Sequence, residues 1–350
     1  MISQAKSSIP LWGQAWELTV MYGAKPPVVI TSNAWEPHAL RMTFEVLQST
    51  LPSPWWFADI NIYNFNDKSL QDTMWNATWC RLKAGFQTGS NLASVIWDGP
   101  ILQVIFGRED VVDQVCTLHC VCNPIVMDSI VTFAAGVFSS QQMVVSRMAQ
   151  SIGLPPIDPA NATQDALAYK AMTEKQYPRG KTVFGKVGKY LLQVSNSNFM
   201  TTFRDGEKAY IAYVQNPNTV PSITYTTPIM PGVASPSIPN GVTASIIDTP
   251  QQTPFGIIFN VLLDPRLKVQ LPVQVVGIDR SVLIRQIPVV PNPDSGTVTP
   301  YTSDLSFLVA QVRHIGDTRG NAWQTEVTGY STTYAQQLLD GIFAANKGVS

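Results

Sequence analysis

The chain has 350 residues, a length at which one hydrophobic core stops growing, so roughly two or three domains are expected. Apolar residues make up 45% of the chain and charged residues only 13%, about half of the usual charged share of roughly 25%. The net charge of −1, from 23 basic and 24 acidic residues, argues against a surface that binds nucleic acid through clustered Lys and Arg. The low charge favours a surface that partner proteins cover, although a β-protein with an uncharged polar surface would share this composition.

Neither secretion nor membrane insertion is expected from the sequence. The first residues lack a basic-then-apolar leader, and the longest weakly polar stretch, Ser129 to Phe138, is far shorter than the ~20 residues that span a bilayer. The four cysteines are too crowded for a disulfide framework, so reduced thiols are expected; they are Cys80, Cys116, Cys120 and Cys122.

Residues 1–125 are predicted to form β-structure with one short helix. Apolar residues alternate with polar ones over 40–46 and again over 58–63, which is typical of half-buried strands. Asn66 and Asp67 are expected to cap a helix that runs to Trp75. The Asp98-Gly99 pair predicts a hairpin turn before a strand over 101–106, and a second turn at 107–110 precedes a strand over 113–122.

Residues 126–215 have the pattern of a small α/β unit. Met143, Val144, Met148 and Ile152 lie at helical spacing, and Gly153 with Pro155 ends that helix. A second helix is predicted through Val183, Val187, Tyr190, Leu191 and Val194, followed by a hairpin that turns at 204–207.

The C-terminal part is predicted to return to strands after a linker rich in Pro, Thr, Ser and Asn at 216–241. Strands are expected at 257–263, 269–276, 307–313 and 322–328, with a hairpin turn at 316–320 and an exposed loop at 288–299. A helix is predicted at the end of the chain, with an apolar stripe formed by Tyr334, Leu338, Leu339, Ile342 and Phe343.

Two hairpins at opposite ends of the chain resemble each other. Gln103 to Phe106 and Gln311 to His314 each end a strand, and each is followed by a charged turn with glycine and a return strand. This repetition predicts a similar β-domain at both ends, although any two hairpins share some of these features.

No catalytic, cofactor-binding or metal-binding residue is predicted, and the chain is expected not to be an enzyme. Cys116, Cys120 and Cys122 would share one face of a strand while His119 takes the other, which separates the ligands that zinc needs. His38, His119 and His314 lie in no recognisable nucleophile motif. The acidic residues Glu109, Asp110 and Asp113 fit a solvated turn better than a glycosidase pair.

Eight of the nine tryptophans precede residue 100. Trp75 and Trp97 are predicted to be core residues. Trp55 and Trp56, beside Pro52 and Pro54, are predicted to lie in a loop, where aromatic residues can anchor an interface or stack on sugars.

Several segments, in order, resemble one protein family. The stretch from Phe307 to Val327 resembles the closing hairpin of the baseplate hub proteins of contractile-tailed bacteriophages, the family that adapts the tail tube to the spike. Leu262, Leu263, Asp264 and Pro265 are similar to that family's leucine-leucine-asparagine-proline strand exit, and Lys268 departs from the glycine that often follows it. The N-terminal order of strands and the hairpin at Asp205-Gly206 also fit, so that the resemblance covers residues 35–330.

This resemblance implies a mainly β fold, with two tail-tube-like β-barrel domains and a small α/β middle domain. The expected boundaries are 1–125 for the first barrel, 126–215 for the middle domain, 216–330 for the second barrel with its Pro-rich entry loop, and 331–350 for a C-terminal helix or extension.

The resemblance also implies a function. Three chains would form a pseudo-hexameric ring that joins the hexameric tail tube to a trimeric spike, with the genome passing through its lumen without specific binding. The implied partners are the tube protein above, a separate spike protein below and the surrounding baseplate wedge proteins. The protein would be part of the virion tail and assemble in the host cytoplasm. A tail tube or tube-initiator protein is the main alternative, and a tail-associated cell-wall hydrolase is a weaker one.

Overall fold

The computed structural model describes a large part of the chain. The described residues are 13–23, 26–33, 40–49, 56–64, 68–87, 93–109, 113–122, 129–151, 174–187, 189–190, 193–194, 200–205, 208–213, 223–226, 242–253, 256–269, 271–276, 284–285 and 306–331.

The described chain is mainly β, as predicted. Its helices are α1 (Lys68–Trp75) and α2 (Gln141–Ser151). Its strands are β1 (Gln14–Met21), β2 (Val28–Asn33), β3 (Met42–Ser49), β4 (Trp56–Tyr63), β5 (Trp79–Phe86), β6 (Ser94–Arg108), β7 (Gln114–Cys122), β8 (Ile130–Ala135), β9 (Ser139–Ser140), β10 (Gln176–Tyr177), β11 (Lys181–Lys186), β12 (Met200–Asp205), β13 (Lys208–Tyr213), β14 (Ile223–Thr226), β15 (Val242–Ser245), β16 (Gln251–Thr253), β17 (Gly256–Leu262), β18 (Pro272–Val276), β19 (Ile284–Arg285), β20 (Ser306–Asp317) and β21 (Trp323–Ser331). Neither described helix is long and apolar enough to span a membrane.

The alternating sequence patterns correctly predict the central strands. In β3, Met42, Phe44 and Val46 are buried, whereas Thr43 and Glu45 between them are half-exposed. Side chains on a strand alternate between its two faces, so this pattern puts one face of β3 on a core and leaves the other for polar groups.

The predicted hairpin turn at Asp98-Gly99 is wrong. Both residues lie inside β6, a continuous strand of 15 residues. The first half of β6 pairs with β5 up to Pro100, and the second half pairs with β7 from Ile101 onward. Pro100 and Gly99 therefore mark a change of partner strand, a position where proline and glycine are tolerated without a turn.

The N-terminal strands form two layers around one core. The first layer has the order β2-β1-β5-β6, and the second layer has the order β6-β7-β4-β3, with β6 passing from one to the other. The core between the layers includes Leu18, Ile60, Leu82 and Leu118, all fully buried. All these strand pairs are antiparallel.

The C-terminal strands repeat the N-terminal strand order. In the first half the neighbours run β3-β4-β7-β6-β5, and in the second half they run β16-β17-β21-β20-β18, antiparallel throughout. The two hairpins even share an irregularity, because one residue is skipped in the pairing at Leu102 in β6 and at Ala310 in β20. A bulge at the same place in the same strand order supports the predicted duplication. The halves differ beyond these strands, where β14 pairs in parallel with both β15 and β18.

The middle of the chain has its own small core. Strands β8 and β11 pair antiparallel, and α2 packs Val144, Val145 and Met148 into a cluster with Val131 and Val183. The predicted helix through Met143, Val144 and Met148 is confirmed as α2, with Ile152 outside the described residues, and the strands of the predicted hairpin pair as β12 and β13. The predicted second helix is partly wrong, since Val183 lies on β11 and helical residues begin only at Val187.

Several predictions fall outside the described residues. These are the helix caps Asn66 and Asp67, His38, Trp55, Asp110, the loop at 288–299, the C-terminal helix and most of the linker at 216–241, of which 223–226 form β14. The four domain boundaries stay predictions.

Substitution of Gly99 tests the partner change in β6. A Cβ there would lie 2.7 Å from Cys122 Sγ and 2.9 Å from the Trp97 ring, so we expect Gly99→Ala to lower the free energy of unfolding by about 1–3 kcal/mol through overpacking. Gly107→Ala on the same strand is the matched control, because its nearest contact would be 3.8 Å away. Urea unfolding followed by tryptophan fluorescence measures both, and equal stabilities would contradict this packing.

Candidate functional site

The two halves of the chain are joined by a strand pair that we call the seam. The seam is the antiparallel pairing of β3 with β20, from Gln311 opposite Ser49 to Asp317 opposite Thr43. Because β3 belongs to the first five-strand unit and β20 to the second, the seam makes one continuous sheet from both.

Aromatic packing holds the buried side of the seam. Gly316 lies opposite Phe44, and a Cβ at this glycine would overlap the Phe44 ring. The Phe44 and Trp323 rings pack edge to face, with centroids 5.4 Å apart and an interplanar angle of 74°. Trp323 Nε1 donates to the carbonyl of Gly85 at 3.0 Å. The closing hairpin thus inserts its tryptophan into the core of the first unit.

A buried polar network lies beside the seam. Asp264 is fully buried. Its carboxylate accepts hydrogen bonds from the Tyr225 hydroxyl at 2.9 Å and from Arg266 Nη2 at 2.6 Å. The Asp264 amide donates to Thr325 Oγ1 at 3.0 Å. Buried charge is tolerated only when paired in this way, which gives a structural reason for an acidic residue at this strand exit.

His314 extends this network onto the seam. Its Nδ1 lies 2.9 Å from Thr325 Oγ1, and its backbone pairs opposite Val46. Burial lowers the pKa of His314 to about 4, so the ring is neutral at pH 7. His314 thus lies inside the seam and not at the hairpin turn that follows it.

An ion pair closes the end of the seam. Arg41 Nη2 and Asp317 Oδ2 are 3.0 Å apart, and the guanidinium also lies 4.7 Å from the centre of the Tyr63 ring. Burial is the largest single effect and would raise the pKa of Asp317, but the hydrogen bond and charge of Arg41, together with hydrogen bonds from the Arg319 and Gly320 amides, hold the pKa below its usual value.

The other face of the continuous sheet is mostly polar, with Leu47, Phe57, Val115, Val121 and Ile315 interspersed, and we call it the polar face. It consists of the half-exposed residues of β3, β4, β7, β20 and β21. Asn61 donates to Thr43 Oγ1 at 3.2 Å and accepts from Thr117 at 2.7 Å. Such cross-strand pairs stabilise a sheet without needing a core on that side.

The charges of the polar face are few and mostly paired. Arg313 Nε donates to Glu45 at 2.8 Å, and its guanidinium lies 3.8 Å from Glu326. His119 Nδ1 lies 2.6 Å from Asp59 Oδ1. On the described residues of these five strands, Arg313 is the one Lys or Arg among the half-exposed positions of this face, so the face has no cluster of positive charge.

The cysteine segment is part of the core. Cys116, Cys120 and Cys122 are buried on one face of β7, and His119 is on the other, as the strand alternation predicted. Cys80 Sγ and Cys120 Sγ are 3.4 Å apart with both thiols free, and burial raises the pKa of Cys116 to about 12. Within the described residues, no three His, Cys, Asp or Glu side chains have the geometry to hold a metal.

The acidic turn residues link β6 to β7 and tie this hairpin to the end of β4. The Glu109 amide donates to the Asp113 carbonyl at 3.1 Å, and Asn64 Nδ2 donates to the Asp113 carboxylate at 2.9 Å.

The tryptophan predictions were right for one residue and wrong for two. Trp97 is buried as expected. Trp56 is also buried, because β4 begins at this residue and its alternation points the ring into the core. Trp75 is 65% exposed and stacks on Phe106 with ring centroids 5.8 Å apart.

The chain matches no protein-family model and no curated protein. Solved structures nevertheless share its fold. A tail protein from Neisseria meningitidis MC58 matches 93% of this chain over 98% of its own length, with a TM-score of 0.50 and 11% identity. The 43 kDa tail protein of prophage MuSo2 from Shewanella oneidensis matches 91% of this chain over 98% of its own length, with a TM-score of 0.50 and 10% identity.

A weaker match is the E. coli c3393 protein, described as a type VI secretion component with structural similarity to the T4 tail proteins gp27 and gp5. It covers 90% of this chain and 76% of its own, with a TM-score of 0.49 and 11% identity. The two stronger matches confirm the predicted resemblance to phage tail proteins at the level of the fold.

The buried His314 predicts a pH dependence of stability. Its pKa is about 4 in the folded chain against roughly 6.5 when unfolded, so the unfolded state binds the extra proton between these values. Stability should therefore fall by about 3 kcal/mol as the pH drops from 6.5 to below 4. In His314→Gln this part of the pH dependence should be missing. His119→Gln keeps His314 and should retain it, and urea unfolding across this pH range compares the variants. An unchanged slope in His314→Gln would refute the assignment.

Proposed function

We propose that this chain is a baseplate hub protein of a contractile phage tail. Three copies would form a ring of six similar modules that joins a hexameric tail tube to a trimeric spike. The observation that carries this proposal is the five-strand order that occurs twice in one chain.

The seam supports the ring. It joins one module to the other edge to edge, so the two modules of a chain continue one sheet rather than lying as separate domains. Three such chains supply six modules, and a head-to-tail contact between copies closes them into a ring. A tube or tube-initiator protein would need six identical chains with one module each, so the duplication favours the hub over that alternative.

The polar face supports a role as the wall of a DNA channel. A channel that DNA slides through should not hold its phosphates, and phosphate binding comes from clustered Lys and Arg. The polar face carries Glu45, Asp59 and Glu326 against the single guanidinium of Arg313. We therefore propose that this face lines the lumen.

The middle unit supports contacts with other baseplate proteins. Several of its apolar side chains are exposed; they are Ile130, Val137, Phe138, Met143 and Phe184. Exposed apolar residues of this kind are typical of surfaces that a partner covers. Spike and wedge proteins are the partners that we propose for it.

We also propose that the chain has no catalytic role. The described cysteines lie in the core, and the candidate carboxylate Asp113 accepts a hydrogen bond from Asn64, the residue that follows β4. A wall hydrolase would need a carboxylate pair across a cleft, and Glu109 and Asp113 instead close a tight hairpin.

Copy number in the assembled tail tests the hub proposal. Cryo-electron microscopy of tails that contain this chain should show three copies at the layer between tube and spike, with six module-shaped densities around the channel. Mass spectrometry of the same tails should give three copies of the 38.4 kDa chain per tail. A layer of six copies would instead indicate a tube or tube-initiator protein and would overturn the hub.

A further inference from the structure

One strand edge in the first unit has no partner strand. Residues 102–108 of β6 pair with β7 on one side, and no described strand is hydrogen-bonded to their other side. Leu102, Ile105 and Phe106 on this stretch are 61%, 41% and 37% exposed. A long apolar edge of this kind invites pairing with another strand.

The second unit shows which strand belongs at this edge. The bulges at Leu102 and Ala310 align β6 with β20, so that Gln103-Val104 corresponds to Gln311-Val312, and Phe106 corresponds to His314. In β20 the equivalent edge is occupied by β3. The unpaired edge of β6, which β12 of the same chain approaches without pairing, is therefore the counterpart of the seam.

The counterpart of β3 is β16. Leu118 and Val327 are equivalent, because they lie opposite the equivalent residues Val104 and Val312. Their partners Ile60 and Phe259 are then equivalent as well.

The pairing of the neighbouring strands gives the register of β16 relative to β3. The residues that precede Ile60 and Phe259 are Asp59, which pairs with Glu45, and Ile258, which pairs with Gln251. Gln251 therefore occupies the position of Glu45.

We propose that β6 of one copy pairs antiparallel with β16 of a second copy, in the register of the seam. Glu45, Val46 and Leu47 lie opposite Ile315, His314 and Arg313. The same register puts Gln251 opposite Gly107, Gln252 opposite Phe106 and Thr253 opposite Ile105 of the neighbouring copy. This inference rests on the proposed ring and specifies the contact between its chains. Around the ring, the seam within each chain would alternate with a β6–β16 pairing between chains.

The free chain protects the β16 edge only lightly. Strand β19 covers it with two parallel pairs, Gln251 with Ile284 and Gln252 with Arg285. Short edge strands are a common protection against unwanted pairing. Assembly would exchange this two-residue bridge for the longer β6 edge, which the Trp75–Phe106 stack extends with apolar surface.

The partner that pairs with the β6 edge is a second copy of this chain rather than an unrelated protein. The unpaired edge and its partner strand are both present in this chain, at the positions that the internal seam already joins. They belong to different units, and in one chain the seam already holds those units together by their other edges.

Cysteine pairing in assembled tails tests the register. Residues directly opposite in antiparallel strands have Cα atoms roughly 4.5–5.5 Å apart, within the roughly 4.4–6.8 Å that a disulfide spans. We expect tails carrying the Ile105→Cys and Thr253→Cys pair to give, on mild oxidation, disulfide-linked species of up to three chains on a non-reducing gel. Each single variant should stay unlinked, since the native cysteines are buried.

A shifted pair is the matched control. Ile105→Cys with Gln252→Cys moves one thiol to the opposite face of the strand, so it should give at least tenfold less linked product. If the shifted pair links as well as the predicted pair, or if the predicted pair stays unlinked, the register is wrong. A tail layer with three copies and no link would reject this contact alone, whereas a layer with another copy number would reject the hub itself.

A charge on the edge tests the contact by a second route. Phe106→Lys should reduce incorporation of the chain into tails at least tenfold, because the equivalent residue His314 is buried where its edge is paired, and a lysine ammonium buried in that position would be unpaired. Val29→Lys changes a more exposed apolar residue, on β2 and away from this edge, and should leave incorporation unchanged. Tryptophan fluorescence confirms that both chains are folded, and equal incorporation of a folded Phe106→Lys chain would count against the contact.

Discussion

The pairing of β3 with β20 is the constraint on which the rest of this architecture depends. Backbone pairing alone leaves many registers open, because a shift by two residues keeps every side chain on its face. Gly316 removes that freedom, since only a residue without Cβ fits against the Phe44 ring. Trp323 then fills the space on the core side and is anchored to Gly85. One contact of glycine with aromatic rings thus sets the relation of two modules that are distant in sequence.

Sequence patterns predicted the strands well because burial on one face leaves a period of two in the residues. Both hairpin strands of the internal repeat and the helix α2 were predictable for this reason. The Asp98-Gly99 pair gave a wrong turn prediction, because a local turn signal cannot show that one strand pairs in two layers. Trp75 was predicted to be a core residue and is exposed, whereas Trp56 was predicted to lie in a loop and is buried. The direction of each ring depends on the residue at which its helix or strand begins.

The seam itself was not predictable from patterns. Its paired residues are separated by more than 260 positions in the chain, and alternation identifies a strand without naming its partner. The motif around Asp264 was visible in the sequence, but the sequence did not show why an acidic residue lies there. In the structure, Tyr225 and Arg266 converge on that carboxylate. Neither residue lies at a regular sequence spacing that would indicate a buried network.

The two modules show that strand order can persist while core chemistry changes. Cys116 and Thr325 occupy equivalent positions, as do Phe106 and His314. In the first module these positions hold a buried thiol and an exposed ring, whereas in the second they hold a buried hydroxyl and a buried imidazole. The neighbouring strands explain the difference. β3 covers the edge of β20, so the ring of His314 must be buried and hydrogen-bonded. The edge of β6 is open in a single chain. Under the proposed pairing, the side chains of the two modules therefore differ where one module is paired within the chain and the other pairs with a neighbouring copy.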